Sequence, residues 1–181
     1  YYAKATAMYY NVSEVSIMEV IKVVPRGYCK GVVRAIQIAK QCAKDYSDQR
    51  ITILGMLVHN RYVMEALAQL HIHMLDDSTK TRMELLDEIE SGVVIFSAHG
   101  IAPQVMEKAK KKGLICIDAT CPDVRKTQEM VLAHLSQGYE VLYIGKKHHP
   151  EAEAVCAISP HVHFITPKDP LPQLSAKLFV T

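Results

Sequence analysis

Short, almost wholly apolar runs recur along the chain, and between them the apolar positions spread out to every third or fourth residue. Runs such as Val93-Val94-Ile95-Phe96 are apolar at every position, as expected of strands covered by helices on both faces. Val32, Ala35, Ile36, Ala39, Cys42 and Ala43 instead follow the helical spacing, which makes Cys42 a core residue. The pattern predicts a strand over 20–24 and a helix over 32–46, then strand–helix pairs over 51–54 and 61–70, 72–75 and 82–90, 93–96 and 103–112, and 114–117 and 122–137. A strand over 140–144, a short helix near Glu151 and strands over 162–165 and 177–180 complete it. Such alternation predicts an α/β fold of short parallel sheets flanked by helices.

Residues 1–17 show neither periodicity nor turn chemistry and are expected to be an unstructured or non-native extension, with Met18 as the natural start. The segment 167–172 is a proline-bearing connector, and the chain is expected to stop short of a further helix after its last strand. Asn11-Val12-Ser13 matches a glycosylation acceptor, which has no meaning without secretion.

Composition narrows the function classes. Of 181 residues 49% are hydrophobic and 22% charged, the balance of a folded globular protein. Lys plus Arg (21) nearly cancels Asp plus Glu (19), so no general field attracts nucleic acid or anionic lipid, and any bound anion must be held locally. No uncharged apolar run approaches the roughly 20 residues of a membrane span, and there is no signal-like start. The chain reads as cytoplasmic, where its five cysteines suit buried thiols or metal ligation better than disulfides.

In an open parallel sheet, chemistry gathers at the carboxyl ends of the strands. The junctions there read Pro25-Arg26-Gly27-Tyr28-Cys29, Val58-His59-Asn60, Ser97-Ala98-His99-Gly100, Asp118-Ala119-Thr120-Cys121-Pro122 and His148-His149-Pro150-Glu151. Cys29 and Cys121 each precede a helix, whose free N–H groups favour the thiolate that binds a soft metal or acts as a nucleophile. His59, His99 and His149 lie where helix N-termini and imidazole N–H groups suit a phosphate or diphosphate. Zinc is the rival use of these imidazoles. Glu151 is either a carboxylate favoured by a helix N-terminus or a proton donor. His71, His73, His161 and His163 flank strands and are expected to be structural, and the lysines at 108 and 110–112 suit a helix C-terminus and solvent.

Taken together and in order, the five junctions resemble the 4-hydroxy-3-methylbut-2-enyl diphosphate reductases, the last enzymes of the non-mevalonate isoprenoid pathway. The resemblance covers about residues 18–181. It implies three pseudo-repeated α/β domains around a 4Fe-4S cluster held by one cysteine from each, with Cys29 and Cys121 as two of the ligands. It also implies that His59, His99 and His149 hold the diphosphate and that Glu151 delivers a proton while the substrate loses its hydroxyl. The resemblance further implies that electrons come from a ferredoxin or flavodoxin and that the products are isopentenyl and dimethylallyl diphosphate.

On this reading residues 18–121 form a first domain, with strand 20–24 belonging to the sheet of the third. Residues 122–181 form an incomplete second domain. The third domain, with the third cluster cysteine, lies beyond the chain, which is expected to be catalytically impaired alone. Cys42, Cys116 and Cys156 do not match the third ligand's motif. Lys30, His148 and Ala154 stand where the family usually has Gly. A non-catalytic fragment that binds phosphate or a partner, and a zinc-dependent hydrolase, are the alternatives.

Overall fold

The computed structural model describes residues 21, 27–174 and 177–181. The expected strand over 20–24 therefore lies, apart from Ile21, outside the described residues. The elements run α1 (Lys30–Asp45), β1 (Ile51–Leu54), α2 (Arg61–Ala68), β2 (Ile72–Leu75), α3 (Arg82–Asp87), β3 (Val93–Phe96), α4 (Pro103–Lys111), β4 (Ile115–Asp118), α5 (Pro122–Ser136), β5 (Glu140–Ile144), α6 (Pro150–Cys156), β6 (Val162–Ile165) and β7 (Leu178–Val180). One sheet has the order β2-β1-β3-β4 and the other β6-β5-β7. Every pairing is parallel.

The doubly apolar strands account for the layering. Successive side chains of a strand point to opposite faces, so Ile51, Ile53, Val93 and Ile95 pack on one side against Ala35, Ala39 and Cys42 of α1 and Val63, Met64 and Leu67 of α2. Leu54, Val94 and Phe96 face the other side and meet Leu85 and Leu86 of α3 and Val105 and Ala109 of α4. In the second sheet Val141, Tyr143 and Val162 pack with Val131 of α5 and with Ala152 and Val155 of α6. Among the described residues no helix is long and apolar enough to cross a membrane.

This order decides where a site can form. The crossover from β1 runs through α2 on one face and the crossover from β3 through α4 on the other. The loops leaving these adjacent strands therefore part and open a crevice at their carboxyl ends. Those are the loops that carry His59 and His99.

Three local findings differ from the sequence pattern. Helix α1 begins at Lys30, two residues earlier than its periodicity suggests, which makes Cys29 the N-cap itself. The lysines near the end of α4 reach back to a neighbouring helix: Lys108 Nζ donates to Met83 O at 3.1 Å and pairs with Asp87 at 2.6 Å, and Lys112 Nζ donates to Leu86 O at 2.9 Å. Lys112 thus supplies a donor to the last carbonyls of α3, which has no basic residue of its own there. His134 lies flat against Phe179, with ring centroids 3.8 Å apart, and so joins α5 to β7.

Candidate functional site

The loops at the carboxyl edge of the first sheet are laced together by backbone hydrogen bonds that continue past the strands. Ala98 N–H donates to Leu57 O at 3.3 Å, and Cys121 N–H donates to Ala98 O at 2.9 Å. The loops after β1, β3 and β4 thus lie side by side, carrying His59, His99 and Cys121.

The Cys121 loop is fixed from two further directions. Thr120 N–H donates to Asp118 Oδ1 at 2.8 Å, and Arg125 Nη2 donates to Asp118 Oδ2 at 2.7 Å. Burial alone would raise the Asp118 carboxyl, but the Thr120 hydrogen bonds and the Arg125 charge hold it below the usual carboxylate range. From α1, Arg34 Nη1 donates to Thr120 O at 3.0 Å.

One turn earlier on α1, Gly31 faces Cys121 so closely that an added Cβ would stand 2.5 Å from its Sγ. The first turn of α1 therefore lies against Cys121, and Cys29 caps that turn. Both cysteines are N-caps whose side chains make no capping hydrogen bond, and Cys29 is exposed. A soft metal group held by thiolates fits such donors. The other three thiols do not fit it. Burial pushes Cys42, Cys116 and Cys156 up from their ordinary values; Cys42 lies in the core, and the Cys116 thiol donates to Leu114 O at 3.5 Å.

The three histidines named from the sequence come together although they come from three loops and two sheets. Ring centroids are 4.6 Å apart for His59 and His99, 5.5 Å for His99 and His149, and 6.2 Å for His59 and His149. One nitrogen from each lies within 4.8 Å of the other two. His59 immediately precedes the α2 N-cap Asn60, whose Oδ1 accepts from Val63 N–H at 3.1 Å. His149 is itself the α6 N-cap, with Nδ1 accepting from Glu151 N–H at 3.3 Å. A ring that accepts at Nδ1 leaves Nε2 free to donate. Ser97 Oγ lies 3.4 Å from His99 Nδ1; when the hydroxyl donates there, His99 too keeps an Nε2–H donor.

The trio's spacing would accept a metal ion or an anion. Burial, then the charges of His59, His149 and Arg82, push His99 down from 6.5 to about 4. Burial disfavours a charge of either sign, so only the neighbouring charges bear on the ligand, and of these Arg82 favours an anion.

Arg82 was not foreseen from the sequence, nor were the close approaches at Gly31 and Gly55. Arg82 opens α3 just after a capping box formed by Thr81 and Glu84. The capping motif was legible, but nothing in it signals that the guanidinium turns inward toward the histidines.

Comparison with known proteins identifies the family. The family described as LytB protein matches residues 20–180. The chain belongs to the LytB family. Among curated LytB relatives, the 4-hydroxy-3-methylbut-2-enyl diphosphate reductase of Geobacillus thermodenitrificans is 50% identical over 162 residues, covering 88% of this chain and 51% of its own length. The reductase of the same name from Bacillus cytotoxicus is 51% identical over 169 residues, covering 91% and 53%. Of solved structures, the E-1-hydroxy-2-methyl-but-2-enyl-4-diphosphate reductase of Plasmodium falciparum superposes with a TM-score of 0.74 at 36% identity, covering 87% of this chain and 48% of that one. A second, described as the terminal enzyme of the non-mevalonate pathway, gives 0.66 at 31% identity, covering 79% and 48%. The chain thus spans about half the length of the LytB relatives it matches, and these share its α/β fold.

Proposed function

We propose that this chain carries the diphosphate clamp and two cysteine ligands of a 4-hydroxy-3-methylbut-2-enyl diphosphate reductase. The observation that carries the reading is the meeting of His59, His99 and His149 beside the laced loop that holds Cys121. Residues 18–121 and 122–181 act as two domains of that enzyme.

In this reading the substrate's diphosphate lies across the three rings. Each imidazole gives one N–H to a phosphate oxygen, and the rings fix the allylic end in orientation. The reaction consumes two electrons and two protons. The carbon–oxygen bond to the hydroxyl breaks, the hydroxyl leaves as water with one proton, and the allylic carbon takes the other. Glu151, in the first turn of α6 two residues from His149, holds a proton for this exchange.

Cys29 and Cys121 would hold part of a 4Fe-4S cluster, which when bound supplies electrons and a Lewis-acidic iron. A ferredoxin or flavodoxin would be the source of the electrons.

Anaerobic reconstitution with iron and sulfide tests the cysteine ligands. Iron content and visible absorption should fall in the Cys29→Ser/Cys121→Ser variant. Equal iron in both proteins, or none in either, would remove the two thiols from a working cluster site in this chain.

A further inference from the structure

Arg82 is buried in an unusual way. Its side chain is 13% exposed, and the guanidinium lies over Gly55, where an added Cβ would stand 2.6 Å from Nη2 and 3.3 Å from Cζ. Only a glycine leaves this seat open. The buried Nε has no hydrogen-bond partner, and the ion pair from Nη1 to Glu153 Oε2 is long, at 4.0 Å. A buried cation so loosely paired contributes little to stability, since an apolar side chain of similar volume would serve as well. Its position is the more informative property.

Gly55 directly follows β1, four residues before His59, and Glu153 lies in the first turn of α6. Glu153 N–H donates to His149 O at 3.1 Å, so Glu153 and His149 belong to one helical turn. The far end of α6 is tied independently, by Gln104 Nε2 of α4 donating to Ala157 O at 2.8 Å. Helix α6 is therefore tethered to the first sheet's layer at both ends. At the histidine end the link to the first sheet's layer is the long Arg82–Glu153 ion pair, which sets direction rather than strength, since Ala152 and Val155 already pack α6 on the second sheet.

We propose that Arg82 is a positioning residue that holds the first turn of α6 through Glu153 and so keeps His149 against His59 and His99. Without it, α6 pivots on the Gln104 contact. The His59–His99 pair, both members of which come from the first sheet, then stays intact while His149 withdraws. The functional consequence rests on the diphosphate reading: a two-histidine clamp holds the anion less well.

The test uses isotope-labelled protein and the nuclear Overhauser contacts between imidazole rings. Arg82→Gln should lose the His99–His149 contacts and keep the His59–His99 contacts as an internal control, and Arg82→Lys should restore the former. Glu153→Gln, at a half-exposed position that tolerates change, should show the same selective loss. Titration with inorganic pyrophosphate should show affinity weakened about 2- to 5-fold in either variant, the range of one partly exposed ion pair. If Arg82 acts through Glu153, the double variant should be no weaker than Arg82→Gln alone.

Unchanged His99–His149 contacts in Arg82→Gln overturn the proposal, as do unchanged contacts in Glu153→Gln should the first variant fail to fold. Failure of the parent protein to bind pyrophosphate would instead overturn the diphosphate reading. The ring contacts would still decide the role of Arg82.

Discussion

Replacing Gly31 by alanine separates the helical role of this residue from its role beside Cys121. In an ordinary helix interior the change stabilises by about 1 kcal/mol, because glycine is the poorer helix former. Here the new Cβ would stand 2.5 Å from Cys121 Sγ and 3.2 Å from Cys121 Cβ. The sulfur must leave its rotamer, and the Cβ must retreat by a few tenths of an ångström. The backbone beneath them has little room to follow, since Cys121 N–H is bonded to Ala98 O and the Thr120 carbonyl to Arg34. Overpacking of this kind costs about 1–3 kcal/mol, so the helical gain is cancelled and the net effect lies between zero and about 2 kcal/mol of destabilisation. Urea unfolding reads this as a lower midpoint at constant slope. The sharper readout is the thiol: Cys121 should react with a thiol reagent at an altered rate, and reconstituted iron should fall with it. A variant stabilised by the full helical increment, with Cys121 reacting as in the parent, would refute the close approach of α1 to this loop.

Three further outcomes follow from the site. Because the folded-state pKa of His99 is pushed down from 6.5 to about 4, the unfolded chain binds the extra proton first on acidification; stability is intact above pH 6.5 and is lost as pH falls toward 4. After discounting for the partly exposed ring, the loss is about 1–2 kcal/mol, and it should be absent in His99→Gln when both proteins are unfolded in urea across that range. Bound pyrophosphate should raise the His99 midpoint, which imidazole NMR would follow; an unmoved midpoint would argue against an anion at the trio. On the reductase reading, Glu151→Gln introduced into a complete reductase should lower turnover by about 10²- to 10⁴-fold, the scale of a lost general acid, while leaving iron content and KM unchanged. Undiminished turnover would remove Glu151 from proton delivery.

The elements were legible because both sheets are parallel and covered on both faces. Val93-Val94-Ile95-Phe96 has no polar face to disguise its limits, and β3 spans those four residues. The site residues were legible for a related reason. Parallel topology sends every strand-to-helix loop to the same edge, so a histidine or cysteine in such a loop is already confined to one side of its sheet. What alternation does not encode is strand order. That β1 and β3 are neighbours, with β2 outside them, is what sets His59 beside His99. The long-range contacts were illegible for the same reason: His134 finds Phe179, and Gly31 finds Cys121, across stretches of chain that no local pattern spans.

The same distinction bears on the choice between anion and metal at the histidine trio. From sequence, three histidines at helix starts suited either ligand, because helix dipoles and imidazoles were the only charges in view. The fold adds a cation that the sequence places on an unrelated helix. Arg82 reaches the β1 turn at Gly55, acts on His99, and draws Glu153 toward the first sheet. Burial, the largest influence on His99, disfavours a charge of either sign and so does not choose between zinc and diphosphate, whereas the charge of Arg82, the smallest, favours the anion. The donor set alone does not discriminate between the ligands. The guanidinium leans toward the anion, and its position depends on how α3 packs on the β1 turn at Gly55.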